Sequence, residues 1–171
     1  MPDLRGKHQA VFYVGLSQQL LPLLEKSQNY SYATRAIDLC WQWIEKQDVA
    51  ALVLFYLYHD EDDYGVEPAM SDGYSHDLVM WNVWGCVSVA LIYTAYCAYG
   101  VEGGPLPETL ELADADVTST AFVKYFEGAK QDSRILGEFA TYLERLSDGQ
   151  LTESVISAKL SELFSCSEYR Q

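Results

Sequence analysis

No lysine or arginine occurs between Lys46 and Lys124, although the same stretch carries thirteen acidic residues. They are Asp48, Asp60, Glu61, Asp62, Asp63, Glu67, Asp72, Asp77, Glu102, Glu108, Glu111, Asp114 and Asp116. Across the whole chain 11 Lys and Arg face 25 Asp and Glu, a formal net charge of -14, and the flanking segments are nearly balanced. A field of that sign repels phosphate backbones. Nucleic acid is therefore excluded as a partner. Unpaired carboxylates held close together repel one another at some expense to stability, so signs kept this far apart point to a basic partner. An acidic coat that only keeps the chain soluble is the plainer alternative.

Histidine and cysteine are also sparse, which narrows the chemistry. Cys40, Cys86, Cys97 and Cys166 are widely spaced in apolar helical contexts with no Cys-x-x-Cys pair, and they read as reduced core thiols. Cys86 and Cys97 lie on nearly one helical face, but eleven residues set them about 16 Å apart, too far to share a metal. The three histidines are His8, His59 and His76. His59-Asp60 and His76-Asp77 have the composition of a helical metal-dependent hydrolase site, but such a site needs further ligands that the chain does not offer. Asp60 to Gly65 begins like a calcium loop and then departs from it, because Tyr64 has no carboxylate and Ser71 stands where a bidentate Glu is required. Neither a Gly-x-Ser-x-Gly elbow, nor a phosphate-binding glycine loop, nor a His-Glu-x-x-His pair is present. These gaps leave no metal or cofactor implied and make catalysis the minor reading.

The N-terminal residues Met1 to His8 lead into an amphipathic pattern and not into an apolar signal core, which places the expected compartment in the cytoplasm. Leu78 to Val101 contains no charged residue and is long enough to cross a bilayer. Asn82, Ser88 and Thr94 within it, acids at both ends and the lack of a basic flank argue against a membrane span. A helix apolar on all sides is otherwise the centre of a bundle.

What is present is helical periodicity over most of the 171 residues, of which 49% are hydrophobic. Tyr13, Leu16, Leu20 and Leu23 recur at three- and four-residue steps from His8 to Lys26, with Pro22 expected to kink or end that helix. Ile37, Cys40, Trp41 and Ile44 repeat the spacing up to Lys46. Asp48 is the expected N-cap of a third helix, Val49 to Tyr58, whose uniformly apolar content also fits a buried strand. His59 to Ser75 has the turn signals Gly65, Pro68 and Asp72-Gly73 and reads as an exposed acidic loop. Gly103 to Pro107 breaks the chain, and three shorter helices follow around Phe122 and Tyr125, Ile135 and Phe139, and Ile156 and Leu160. Asp132 and Ser147 to Gly149 separate these as caps and turns. The expectation is one all-α domain over residues 1–171, an irregular multi-helix bundle around a central apolar helix.

The candidate partner-binding residues are Asp60, Glu61, Asp62, Asp63, Tyr64, Glu67, Asp72, Tyr74 and Asp77. Carboxylates there would meet lysines and arginines, while Tyr64 and Tyr74 supply anchors with one apolar side and one polar tip. Trp41 and Trp81 are assigned to the core.

Leu20-Leu21-Pro22-Leu23-Leu24-Glu25, then Ala36-Ile37-Asp38-Leu39-Cys40-Trp41-Gln42-Trp43-Ile44-Glu45, then the acidic loop and a long apolar helix ending Tyr96-Cys97-Ala98-Tyr99, together resemble an immunity-protein family. It is the all-α family numbered six among those of bacterial polymorphic toxin systems, and the resemblance covers roughly residues 8 to 100. It implies a protein that neutralises a cognate toxin by tight non-covalent binding, without catalysis. A nuclease toxin would present the basic cleft that an acidic inhibitor fits. The alternatives are an all-helical interaction protein of another class and, behind it, the hydrolase using His59, Asp60, His76 and Asp77.

Overall fold

In the computed structural model, residues 4–59, 65–74, 77–111, 113 and 115–168 are described; at 71–74, 115, 167 and 168 the description is of the backbone. The described residues form nine α-helices and no strand, so the fold is all-α. The helices are α1 (Gly6–Leu20), α2 (Tyr30–Lys46), α3 (Ala51–Tyr58), α4 (Val66–Tyr74), α5 (Leu78–Glu102), α6 (Glu108–Glu111), α7 (Ala115–Gly128), α8 (Arg134–Leu143) and α9 (Glu153–Glu168).

The charge-free segment forms α5, and α1, α2, α3, α4 and α7 all pack around it. By length and composition α5 could cross a membrane, but 67% of its apolar window is buried within the molecule. Trp84, Cys86, Val87, Ala90, Leu91 and Ala95 are among its residues with no exposed surface. Asp77 caps its N-terminus, with Oδ1 accepting from the backbone N–H of Val79 at 2.7 Å and of Met80 at 3.4 Å. Those bonds satisfy amides that the first turn leaves without helical partners.

A second hub is less expected. Helix α1 buries every residue from Gln9 to Ser17, and α8 and α9 pack on it as well as α5. Buried Gln9 finds distant partners: its amide donates to the Ser119 hydroxyl at 2.9 Å and accepts from the Tyr93 hydroxyl at 3.2 Å. Pro22 ends the helix as expected, and Leu21–Leu24 continue as one 3-10 turn. Leu23, placed by its spacing on one helical face with Tyr13, Leu16 and Leu20, is 45% exposed while those three are buried, because the tighter turn shifts the register away from 3.6 residues.

Three further expectations are corrected. Asp48 does not cap α3: the Ala51 amide donates to Glu102 Oε1 at 2.6 Å, while Asp48 accepts from Gln42. The stretch read as a loop from His59 to Ser75 contains α4, in which Pro68 falls in the first turn where its missing N–H costs nothing, and Val66 and Ala69 are buried. Gly65 starts that helix at a φ of +141°, and a side chain there would meet the Leu57 carbonyl oxygen at 2.9 Å. Finally, Trp41 is buried with its indole N–H donating to Gln18 Oε1 at 2.9 Å, but Trp81 is only half-buried, its ring edge-on to Tyr125.

The thiols divide in the same way. All four cysteines are free; Cys40 and Cys86 are buried, Cys97 is half-buried, and Cys166 on α9 is exposed, contrary to the reading of four core thiols. Burial pushes Cys40 and Cys97 up to about 12 and raises Cys86 as well, which starves them of reactive thiolate. Titration of the native protein with dithionitrobenzoate is expected to register one fast thiol, and all four cysteines only in denaturant. Cys166→Ser should remove the fast phase; a second fast thiol in the native protein would contradict this burial pattern.

Candidate partner-binding surface

The acidic segment is distributed along α5 by the helices that pack on it. Helix α3 starts beside Glu102 at the C-terminal end of α5, through the Ala51–Glu102 bond. Gly65 lies against the carbonyls of Leu57 and Tyr58, so α4 starts where α3 ends. It finishes at Tyr74, three residues before the Asp77 cap. Acids at both ends of α5 are thereby joined by two short helices that run along it.

Of the residues assigned to the site, Glu67 and Asp77 have described side chains. Glu67 is half-buried in the first turn of α4 and hydrogen-bonds His59 Nδ1, a contact that becomes an ion pair when the imidazole is protonated. Nearby, Tyr58 has its hydroxyl pushed up, first by burial and then by the Glu67 carboxylate. Asp77 is exposed but its Oδ1 is committed to capping α5, so it serves the fold before any partner. Asp72 and Tyr74 belong to the last turn of α4, where the description is of the backbone. Asp60, Glu61, Asp62, Asp63 and Tyr64 lie outside the described residues, as does His76. Glu67 thus stands at the start of α4 and Asp77 three residues beyond its end, at the N-terminus of α5.

The hydrolase alternative gains no geometry from this arrangement. His59 turns to Glu67 and Asp77 to a helix N-terminus. Among the described residues no group of three or more His, Cys, Asp or Glu is placed to hold a metal.

Beyond α5, Glu108 and Glu111 belong to α6 and Asp116 to the first turn of α7. Helix α7 runs back antiparallel, with Tyr125 against Gly85 and Gly128 against Asn82. Asp116 therefore lines the same open groove as Trp81, Asn82 and Tyr125, a space of about 780 Å³ whose floor is mostly apolar. Lys124, the first cation after the acidic stretch, lies on its wall. The described lining has no histidine, cysteine or serine.

Sequence reasoning missed an exposed apolar feature on α3. Leu52, Val53 and Tyr56 are 49%, 46% and 52% exposed, while Ala51 and Leu54 face the core. Their positions span about 100° of the helix circumference, which makes one continuous strip. The Tyr99 hydroxyl beneath is raised by burial and by the proximity of Glu102 and then of Tyr56, which sets an acid at the foot of the strip.

Comparison with known proteins adds one finding. A family model described as immunity protein Imm6 matches residues 8–129, which takes in α1 to α7 and the entire acidic segment. No curated protein and no solved structure matches the chain.

Proposed function

We propose, from the premise that this chain belongs to the Imm6 family of immunity proteins, that it binds a cognate bacterial toxin and neutralises it in the cytoplasm of the producing cell. The binding is stoichiometric and non-covalent, needs no metal or cofactor, and involves no catalysis by this chain. The observation that carries the reading, beside the family, is that thirteen acids and no lysine or arginine occupy the sequence between Lys46 and Lys124. A surface of one sign steers a partner of the other sign, raising its rate of encounter and disfavouring wrong partners. The partner is accordingly a basic protein, and a nuclease whose cleft must hold a phosphate backbone has that character. The contact residues are Asp60, Glu61, Asp62, Asp63, Tyr64, Glu67, Asp72, Tyr74 and Asp77, with charge at the rim and the tyrosines as anchors. Asp77 retains its cap while lending its remaining charge.

The test is purification of the tagged chain together with the product of the adjacent upstream gene, followed by the Kd at two salt concentrations. A complex is expected whose affinity falls about tenfold or more between 0.05 and 0.3 M salt, as screening shortens the reach of surface charge. No complex at either concentration would end the neutralisation reading for that gene product. A tight complex insensitive to salt would keep neutralisation and remove the acidic surface from its explanation.

A further inference from the structure

Apart from the apolar-floored groove between α5 and α7, the strip on α3 is a contiguous exposed apolar surface carried by a single helix. Leu23, Leu78, Val101, Val117 and Val155 are also exposed, but on separate elements or at helix ends. Single exposed apolar residues are ordinary on protein surfaces, whereas three on one turn and a half mark a place where something docks. Nothing in α3 offsets the exposure: its eight residues are Ala-Leu-Val-Leu-Phe-Tyr-Leu-Tyr, with no polar group beyond two phenols.

The surroundings select the occupant. At its N-terminal end stand Asp48, exposed, and Glu102, which holds the Ala51 amide; at its C-terminal end stands Glu67 with His59. The chain supplies no lysine or arginine from 47 to 123, so these acids face no cation from α3, α4 or α5; Lys46, at the end of α2, which packs on α3, is the neighbouring cation in sequence. A second copy, itself at -14, would bring like charge against those acids, and an anionic lipid surface would do the same. A basic protein meets both features at once: apolar contact at the centre and opposite charge around it, the usual anatomy of a specific interface.

We propose that the outer face of α3, with Leu52 and Tyr56 as anchors, is the apolar centre of the interface with the basic toxin, the acids serving as its rim. This rests on the neutralisation reading above and adds where the affinity resides. Charge steers the encounter and is screened by salt; burial of Leu52 and Tyr56 slows dissociation and is not.

The experiment measures binding of the full chain to the adjacent gene's product, carrying an inactivating substitution, at low and high salt. Leu52→Ser/Tyr56→Ser is the main variant, with Val53→Lys as a second that keeps the anchors and adds a cation to the strip; circular dichroism and thermal melting check both folds. The double variant is expected to raise Kd about 100-fold at both salts, through the dissociation rate, with the salt dependence unchanged. Val53→Lys should weaken binding about tenfold by placing like charge against a basic partner. Wild-type affinity in both variants would overturn the α3 assignment and leave neutralisation standing. A wild-type chain that does not bind would remove the neutralisation reading, and this inference with it. A wild-type dimer that the double variant dissociates would assign the strip to a second copy and overturn the toxin as its occupant.

Discussion

Phe12→Ala is expected to lower the free energy of unfolding by about 3–5 kcal/mol. The Phe12 ring has no exposed surface. It stacks on Phe139 at 5.7 Å between centroids and lies 5.9 Å from Phe122 and 5.7 Å from Tyr13. Truncation would therefore loosen α1 from α7 and α8 together. The lost transfer energy and the cavity both count, since surrounding rings anchored on three helices close in only partly. Domains of this size are typically stable by about 5–15 kcal/mol, so the variant retains little margin. Urea unfolding followed at 222 nm should show a lower midpoint with an unchanged slope. Leu23→Ala is the control, expected within about 0.5 kcal/mol because that side chain is already half in water. A Phe12→Ala cost below about 1 kcal/mol would mean that the three-helix junction is not packed as described.

The contrast between Phe12 and Leu23 also shows how much of the fold could be read from the chain. Helix α5 was legible because 24 residues without a charge have few soluble solutions other than a bundle centre. Helix α1 was legible as a helix but not as a second hub. Only the return of Ser119 and Tyr93 from distant sequence gives Gln9 partners in the interior. Long-range satisfaction of that kind has no local signature. The Asp48 cap failed for the same reason: a carboxylate 51 residues away, Glu102, took the Ala51 amide. Helix α4 was hidden by Gly65 and Pro68, turn signals that are equally at home just before and just inside a helix start.

The candidate surface was legible as charge and illegible as shape. Counting acids located the segment, since sign segregation is a property of the linear sequence. The exposed strip on α3 could not be found this way, because periodicity separates an inner from an outer face only when the two differ in polarity, and in Ala51–Tyr58 they do not. Only the packing of Ala51 and Leu54 against the bundle reveals that Leu52, Val53 and Tyr56 point away. Likewise Trp81, read as core, lines a groove because α7 returns alongside α5 and leaves it half-covered.

Asp62→Lys/Asp63→Lys is expected to raise the Kd for the basic toxin about 100-fold at low salt, with most of the change in the association rate. The two substitutions alter the local charge by four units within a segment that is otherwise entirely acidic from Asp60 to Asp63. Charge at a rim acts on the approach more than on the bound state, so dissociation should change little. The effect must shrink with salt, as the Debye length falls from about 10 Å at 0.1 M to about 3 Å at 1 M. Net charge alone is separated from local charge by Glu138→Lys/Glu144→Lys, which makes the same total change at two exposed positions on α8 and just past its end. That control should weaken binding no more than about threefold, since α8 packs on α1 and α9 and exposed charges act over little more than a Debye length of about 8 Å at physiological salt. Equal effects from the two pairs would show that the toxin senses total charge and not this segment. An unchanged Kd and salt dependence in a folded Asp62→Lys/Asp63→Lys variant would remove the acidic stretch from the interface. The α3 strip would then have to hold the toxin without electrostatic help, and an association rate near that of uncharged protein pairs, about 10⁵–10⁶ M⁻¹s⁻¹, is what such a complex would show.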